Sequence, residues 1–386
     1  MKRMNNDMAV SPIVATLVLI VVAVIGAVAV GTIMGTFSSQ VSKQASSGQA
    51  ASASQTEIII AGSTTLIPAE LNLQTDFTRL NPGDQINVQG GGSSEGPIAV
   101  AMGIADIGAS SSSSKITGAQ TANPNDAVYQ NLYYTQIGGR GVVFIENNDN
   151  ASVKTTSDGS AAAVAASDLF DAYLNVTSKG VTTATEGNIT SGTQMEQREA
   201  GSGTMSTAFK WIGFNSTAGS TEDIADNGLP NGVPSNNGNA AMLTAVQTTA
   251  HSFGFVDSGY AISGGVTSTT PASGITLVNV ITSTSPADGY VPTHTNIKDA
   301  LKDWYYNKNQ DTTQGPNYPS GSSGLVGGLY WITQGSSPTE MTGNQITTPG
   351  TSSASSVVQN LISFAKSPAE ASAFNNAGMY SMYDFL

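Results

Sequence analysis

The chain of 386 residues has no cysteine and only two histidines, and charged residues make up only 11% of it. Without cysteine there are no disulfides, no thiol nucleophile and no cysteine-based zinc site. His251 and His294 have no second histidine or carboxylate at the spacing a helical metal site needs, so both read as structural or surface residues, and neither a metal nor a cofactor is expected. Arginine is scarce as well: Arg3, Arg79, Arg140 and Arg198 are the full set. The formal net charge of −13 argues against nucleic acid as a partner. Any anion site beyond the N-terminus must rest on backbone dipoles and hydroxyls with one or two of the last three arginines.

What is abundant is glycine, serine, threonine and asparagine, and one stretch concentrates them usefully. Arg198-Glu199-Ala200-Gly201-Ser202-Gly203-Thr204 runs straight into the helix-compatible segment Met205 to Phe214. The first N–H groups of a helix have no internal partner and the helix dipole is positive there, so this stretch reads as an anion site. Gly201 and Gly203 permit close backbone approach, and the Arg198 guanidinium suits a tetrahedral oxyanion. The plainer alternative is that Ser202 only caps the helix while Arg198 lies on the surface.

From the N-terminus, residues 1–8 form a basic leader with Lys2 and Arg3, and residues 9–37 are almost wholly apolar. At 1.5 Å per residue, the roughly 24 residues from Ile13 span about 36 Å, the length of a transmembrane helix. The positive-inside rule then places everything after Phe37 outside the cytoplasmic membrane. A cleaved signal peptide ending near Ala27-Val28-Ala29 is the alternative. Residues 38–55 are a Ser/Ala/Gln linker.

Beyond the linker, strand-like and helix-like segments alternate. Glu57–Ile60 reads as a strand and is followed by Ala61-Gly62-Ser63-Thr64-Thr65 and a helix stopped by Asn81-Pro82-Gly83. Gln85–Gln89 leads to the run Gly90–Gly96 and a short helix, then to the strand-like Ala105–Gly108. This is the pattern of a parallel α/β sheet whose strands end in small hydroxylated residues, where ligands bind in such sheets. Leu132–Ile137, Val142–Glu146, Ser252–Val256, Ile275–Ile281 and Leu329–Thr333 read as further strands. Thr204–Trp211, Asn239–Thr249, Thr295–Lys308 and Ser355–Lys366 read as helices. No nucleophile–base pair or cluster of acids stands near the hydroxyl-rich loops, so the chain reads as a binding protein and not an enzyme.

Two resemblances follow from these residues. Asp7-Met8-Ala9-Val10-Ser11-Pro12-Ile13-Val14-Ala15-Thr16-Leu17 resembles the N-terminus of archaeal type IV pilin-like proteins, which implies peptidase processing between Met8 and Ala9 with the apolar helix retained. Ala61–Thr65, Gly90–Gly96 leading to Asp106-Ile107-Gly108-Ala109-Ser110, and Arg198–Thr204 together resemble the phosphate-binding protein of the bacterial and archaeal phosphate ABC transporter. Gly238-Asn239, Phe253–Val256 with Tyr260-Ala261, and Tyr318-Pro319 match that family's later landmarks.

That second resemblance implies a two-lobed α/β periplasmic-binding-protein fold of type II over residues 56–386. Lobe 1 would comprise 56–138 and 271–386, and lobe 2 would comprise 139–270. It also implies phosphate-binding residues Thr64, Thr65 through its N–H, Ser93, Ser111, Arg198, Ser202, Gly203 through its N–H, and Thr204. Ser111 stands where the family has an aspartate that accepts a proton from bound phosphate, so Glu95 is a candidate acceptor in its place. Likewise, Ala200 lacks the acid the family often places near its arginine. Arg140, in Gly138-Gly139-Arg140-Gly141, points into the cleft or is solvated. The expected function is a membrane-anchored extracytoplasmic receptor that delivers phosphate, or another oxyanion such as sulfate or molybdate, to ABC permease subunits. The alternative is a pilin-like filament or surface subunit displaying an adhesive head.

Overall fold

A computed structural model describes residues 56–155, 162–184, 187–214, 232–282, 285, 288–306, 318–320, 324–342 and 344–386. The expected leader, apolar anchor and linker lie outside the described residues. Among those described, no helix is long and apolar enough to cross a membrane.

The first βαβ unit follows from its residue pattern. In β1 (Thr56–Gly62) Ile58 and Ile60 alternate into the core. Helix α1 (Ile67–Leu80) has proline in its first turn and buries Ala69, Leu73 and Phe77 at four-residue intervals. Parallel strands β2 (Asp84–Gly90) and β3 (Ile107–Ser110) flank β1, with α2 (Glu95–Ala101) between them in the chain. Helix α3 (Ser113–Ala122) follows β3 at once.

This first parallel run ends at β3. Strand β4 (Leu132–Asn147) runs antiparallel to its neighbours, and so does the later strand Val326–Gln334. The sheet is therefore mixed. The glycine run Gly138–Gly141, expected to separate two strands, instead continues one strand of 16 residues. Packing explains the glycines: a Cβ at Gly139 would lie 2.9 Å from Leu301 and Phe385, and one at Gly141 would lie 2.4 Å from Ile297. Arg140 lies between them and, by strand alternation, on the opposite face.

Second-lobe elements assemble on the far half of β4. They are β5 (Ala163–Ala165), α4 (Ala166–Leu174), β6 (Gln194–Met195), α5 (Gly203–Ile212), α6 (Asn239–Thr248), β7 (Ser252–Asp257) and β8 (Ile275–Ile281). Helix α5 begins at the Ser202 cap, buries Met205, Ala208, Phe209 and Ile212 on one stripe, and ends at Gly213 with φ 112°. After α7 (His294–Tyr306), strand β9 (Val326–Gln334) returns to pair with the first half of β4. Helix α8 (Ser356–Ala365) and strand β10 (Tyr380–Ser381) complete the elements used below.

The pairing of β4 changes at one point. Leu132–Gly141 faces β9, whereas Val142–Asn147 faces β7 and β8. One core gathers Ile58, Leu73, Ile107, Leu329, Trp331 and Leu361, and another gathers Phe144, Phe209, Phe253 and Phe255. The structure is thus two-lobed and mixed α/β, with β4 common to both lobes. One boundary differs from expectation: β8 pairs with the second half of β4 and with β5, so Ile275–Ile281 belongs with the second lobe and not with a first-lobe segment beginning at 271. Its apolar alternation is the same in either lobe, so only its partners decide.

Buried titratable groups make the fold sensitive to pH. Glu70 is 2% exposed and accepts from Trp331 Nε1 at 2.8 Å; burial pushes its carboxyl from 4.5 up to about 8, opposed in part by that hydrogen bond. Burial likewise raises Glu146 to about 7 and lowers His294 to about 4. His294 has a structural role: its Nδ1 lies 2.7 Å from Tyr380 Oη. A carboxyl whose folded pKa is raised stabilises the native state fully below its unfolded pKa and loses that contribution as pH rises through the folded value. Stability should therefore decline by up to roughly 1.4 kcal/mol per pH unit toward pH 8 through Glu70 alone. In Glu70→Gln, urea unfolding between pH 6.5 and 8.5 should show a flatter dependence than wild type; parallel curves would refute the assignment.

Candidate functional site

The loops after β1, β2 and β3 and the start of α5 meet where the two lobes face each other. Ser93 Oγ and Ser111 Oγ, both buried, lie 3.0 Å apart, and the Ser111 N–H donates to Ser93 Oγ at 3.1 Å. Both serines abut the helix start opposite: a Cβ at Gly203 would lie 2.5 Å from Ser111 Oγ and 2.7 Å from Ser93 Oγ. Only glycine lets the α5 N-terminus approach the first-lobe hydroxyls this closely.

Beside this contact stands a buried carboxylate that the sequence reading missed. Asp257, 1% exposed at the end of β7, accepts at Oδ2 from Thr65 Oγ1 (2.7 Å), Thr204 Oγ1 (2.5 Å) and Asn239 Nδ2 (2.9 Å). Its Oδ1 receives Arg140 Nη1 at 2.9 Å. Arg140 is itself 1% exposed and therefore lies in the cleft. Its Nε and Nη2 donate to the Ser111 carbonyl at 2.9 and 2.8 Å, and Nη2 also reaches the Gly203 carbonyl (3.0 Å) and Thr207 Oγ1 (2.7 Å).

Arg198 is also buried, not a surface residue, and the chain around it holds its guanidinium rigidly. Glu199 binds it in a fork, Nε to Oε2 and Nη2 to Oε1, both at 2.8 Å. Nη1 donates to Asn239 Oδ1 at 2.6 Å and Nη2 to Thr64 Oγ1 at 3.2 Å, so four of its five N–H groups are engaged. Glu199 thus supplies the acid that Ala200 does not. Thr64 is fixed further by Tyr260, whose hydroxyl donates to the Thr64 carbonyl at 2.8 Å.

The structure therefore brings together Thr64, Thr65, Ser93, Ser111, Arg198, Gly203 and Thr204. The remaining expectations fare less well. Ser202 Oγ accepts from the Met205 N–H at 3.2 Å, so its hydroxyl caps α5, as the plainer reading held. The Thr65 N–H, expected to face an anion, points at Ser63 Oγ at 3.3 Å, while the Thr65 hydroxyl reaches across the cleft. Glu95 is exposed at the start of α2, whereas Asp257 is buried among these residues. Asp257 and Asn239 carried one legible signal, an acid and an amide directly after the strand and glycine of the later landmarks.

Two arginines, two carboxylates and a set of hydroxyls from both lobes form a site of balanced charge. Such a site can bind an anion by exchanging internal hydrogen bonds for ligand ones. No family model and no curated protein sequence matches the chain. Solved structures do match. A Clostridium perfringens protein assigned as the substrate-binding protein of a phosphate ABC transporter, with bound phosphate, is similar at a TM-score of 0.54 and 15% identity, over 84% of this chain and 99% of that one.

The fold is that of the periplasmic binding proteins.

A high-affinity periplasmic phosphate-binding protein bound with phosphate at pH 8.5 gives a TM-score of 0.53 at 15% identity, covering 84% of this chain and 90% of that one. The ancestral soluble variant of the human phosphate binding protein gives 0.53 at 14%, with the same coverage. The likeness is one of fold, and the site must speak for itself.

A buried charge stripped of its partner is expensive, so Arg140→Met should cost about 3–5 kcal/mol in urea unfolding. Arg140→Met combined with Asp257→Asn should recover part of that loss. Additive losses would show that the two residues do not act as a pair.

Proposed function

We propose that the chain is an extracytoplasmic receptor that binds a small oxyanion, inorganic phosphate above all, between its lobes. The observation that carries the reading is the convergence of the Thr65, Ser93 and Ser111 hydroxyls of the first lobe and the Thr204 hydroxyl of the second on the N-terminus of α5 beside Arg198. The likeness in fold to phosphate-binding proteins supports it. In this reading the anion takes the free N–H of Arg198, the first amides of α5 and the hydroxyls that now bond one another or Asp257. Because the donors come from both lobes, the ligand favours the closed arrangement.

Asp257, and not Glu95, is the carboxylate placed to accept a ligand hydroxyl. An oxyanion that carries a proton satisfies that carboxylate, while sulfate, which carries none, meets only its repulsion. The apolar segment 9–37 would hold the receptor at the membrane with its globular part outside, and lobe closure would be the state that ABC permease subunits recognise.

Calorimetry on the full chain in detergent tests this. Phosphate should bind, sulfate should compete poorly, and Arg198→Ala should weaken phosphate roughly 10–100-fold, the range for losing a hydrogen bond to a charged group. Failure of phosphate and sulfate alike to bind would defeat the proposal.

A further inference from the structure

We infer that Asn239 is the positioning residue that sets the anion preference of the interlobe site, by dictating which of the groups around it donate and which accept; the inference rests on the oxyanion reading proposed above. Asn239 is the first residue of α6, follows Gly238 at φ 91°, and is wholly buried. Its Oδ1 accepts from Arg198 Nη1 at 2.6 Å and from the Asp257 N–H at 3.2 Å. Its Nδ2 donates to Asp257 Oδ2 at 2.9 Å and to Thr65 Oγ1 at 3.1 Å.

The partners fix the amide and use it up. A guanidinium and a backbone N–H can only donate, so the oxygen must face them and the nitrogen must face the carboxylate and the hydroxyl. Two bonds accepted and two donated exhaust a primary amide, so Asn239 has nothing left for a ligand and acts through its neighbours. Glu199 holds the start of α6 in place for this, because its Oε2 accepts from both the Gly238 N–H at 3.1 Å and Arg198 Nε at 2.8 Å.

The consequence falls on Thr65 and Asp257. With one lone pair of Thr65 Oγ1 taken by Nδ2, the Thr65 hydroxyl gives its proton to Asp257 Oδ2, at 2.7 Å, or to an anion. The Thr204 hydroxyl of the opposite lobe also donates to Asp257 Oδ2. Both hydroxyls can rotate toward an anion, whereas the pinned amide cannot. Once they turn, Asp257 Oδ2 keeps the Asn239 N–H and has a lone pair open to a proton carried by the ligand. Asn239 thereby gives the exchange one direction, in which protein hydroxyls donate and the carboxylate accepts. A protonated oxyanion matches both halves of that exchange, and sulfate matches only the first.

Calorimetry of inorganic phosphate and sulfate binding to the full chain tests this in wild type, Asn239→Asp and Asn239→Ala, with thermal unfolding to confirm folding. Asn239→Asp is isosteric and still accepts from Arg198, but it sets a second carboxylate against Asp257, and two carboxylates so placed share a proton. Asp257 then offers no open acceptor, and the ratio of phosphate to sulfate affinity should fall roughly 10-fold or more. Weakening of both anions by the same factor is what a merely structural residue would give; it would overturn the inference and leave the interlobe reading intact. A double-mutant cycle decides the matter even if Asn239→Asp does not fold. Asn239→Ala should weaken phosphate roughly 10-fold in wild type and distinctly less in Thr65→Val, where the hydroxyl that Asn239 directs is gone. Additive losses would overturn the inference. No binding of either anion by wild type would overturn the inference and the interlobe reading together.

Discussion

The Arg140–Asp257 pair is the interaction on which the rest of the cleft depends. Both ions are withdrawn from water, a cost of several kcal/mol each that only good geometry and further hydrogen bonds offset. The structure supplies them: the guanidinium is met by two carbonyls and a hydroxyl, and the carboxylate by two hydroxyls and an amide. These partners belong to the Thr65 and Ser111 loops and to the first turns of α5 and α6. Holding the ion pair in register therefore holds the Thr65 loop, the Ser111 loop and the start of α5 in register with each other.

The glycines around Arg140 take their meaning from the same constraint. Gly139 and Gly141 leave room for Leu301 and Ile297 of α7 to press on one face of β4, while the arginine occupies the other. A larger residue on either side would lift α7 away and loosen the strand that positions the guanidinium. Packing and electrostatics are thus settled by one tetrapeptide.

Much of this was legible in the chain. Strand and helix periodicity located most elements, and Ile275–Ile281 was placed to the residue. The loops carrying Thr65, Ser93 and Arg198 announced themselves because their chemistry is local: small residues at a strand end, followed by a helix. What escaped was long-range. Arg140 and Asp257 are 117 residues apart, and nothing local distinguishes a buried ion pair from two solvated charges. Likewise, alternation in β8 says that one face is covered but not by which lobe. The mixed sheet was missed for the same reason, since strand direction is a property of pairing and not of sequence pattern.

Strand β4 also sets how the lobes can move. Its ladder with β9 slips at Leu329/Tyr330, opposite Gly138 and Gln136, so Ile137 is passed over in the pairing. Such a bulge bends a strand and increases its twist. It lies a few residues from the point where β4 changes partners, within a strand roughly 50 Å long. A joint built this way works as a torsion element and not as a loose tether. The first lobe can rotate against the second by winding or unwinding the strand about the bulge, with most ladder hydrogen bonds kept. The passed-over Ile137 lies three residues from Arg140, whose contacts reach Ser111 in one lobe and Gly203 in the other.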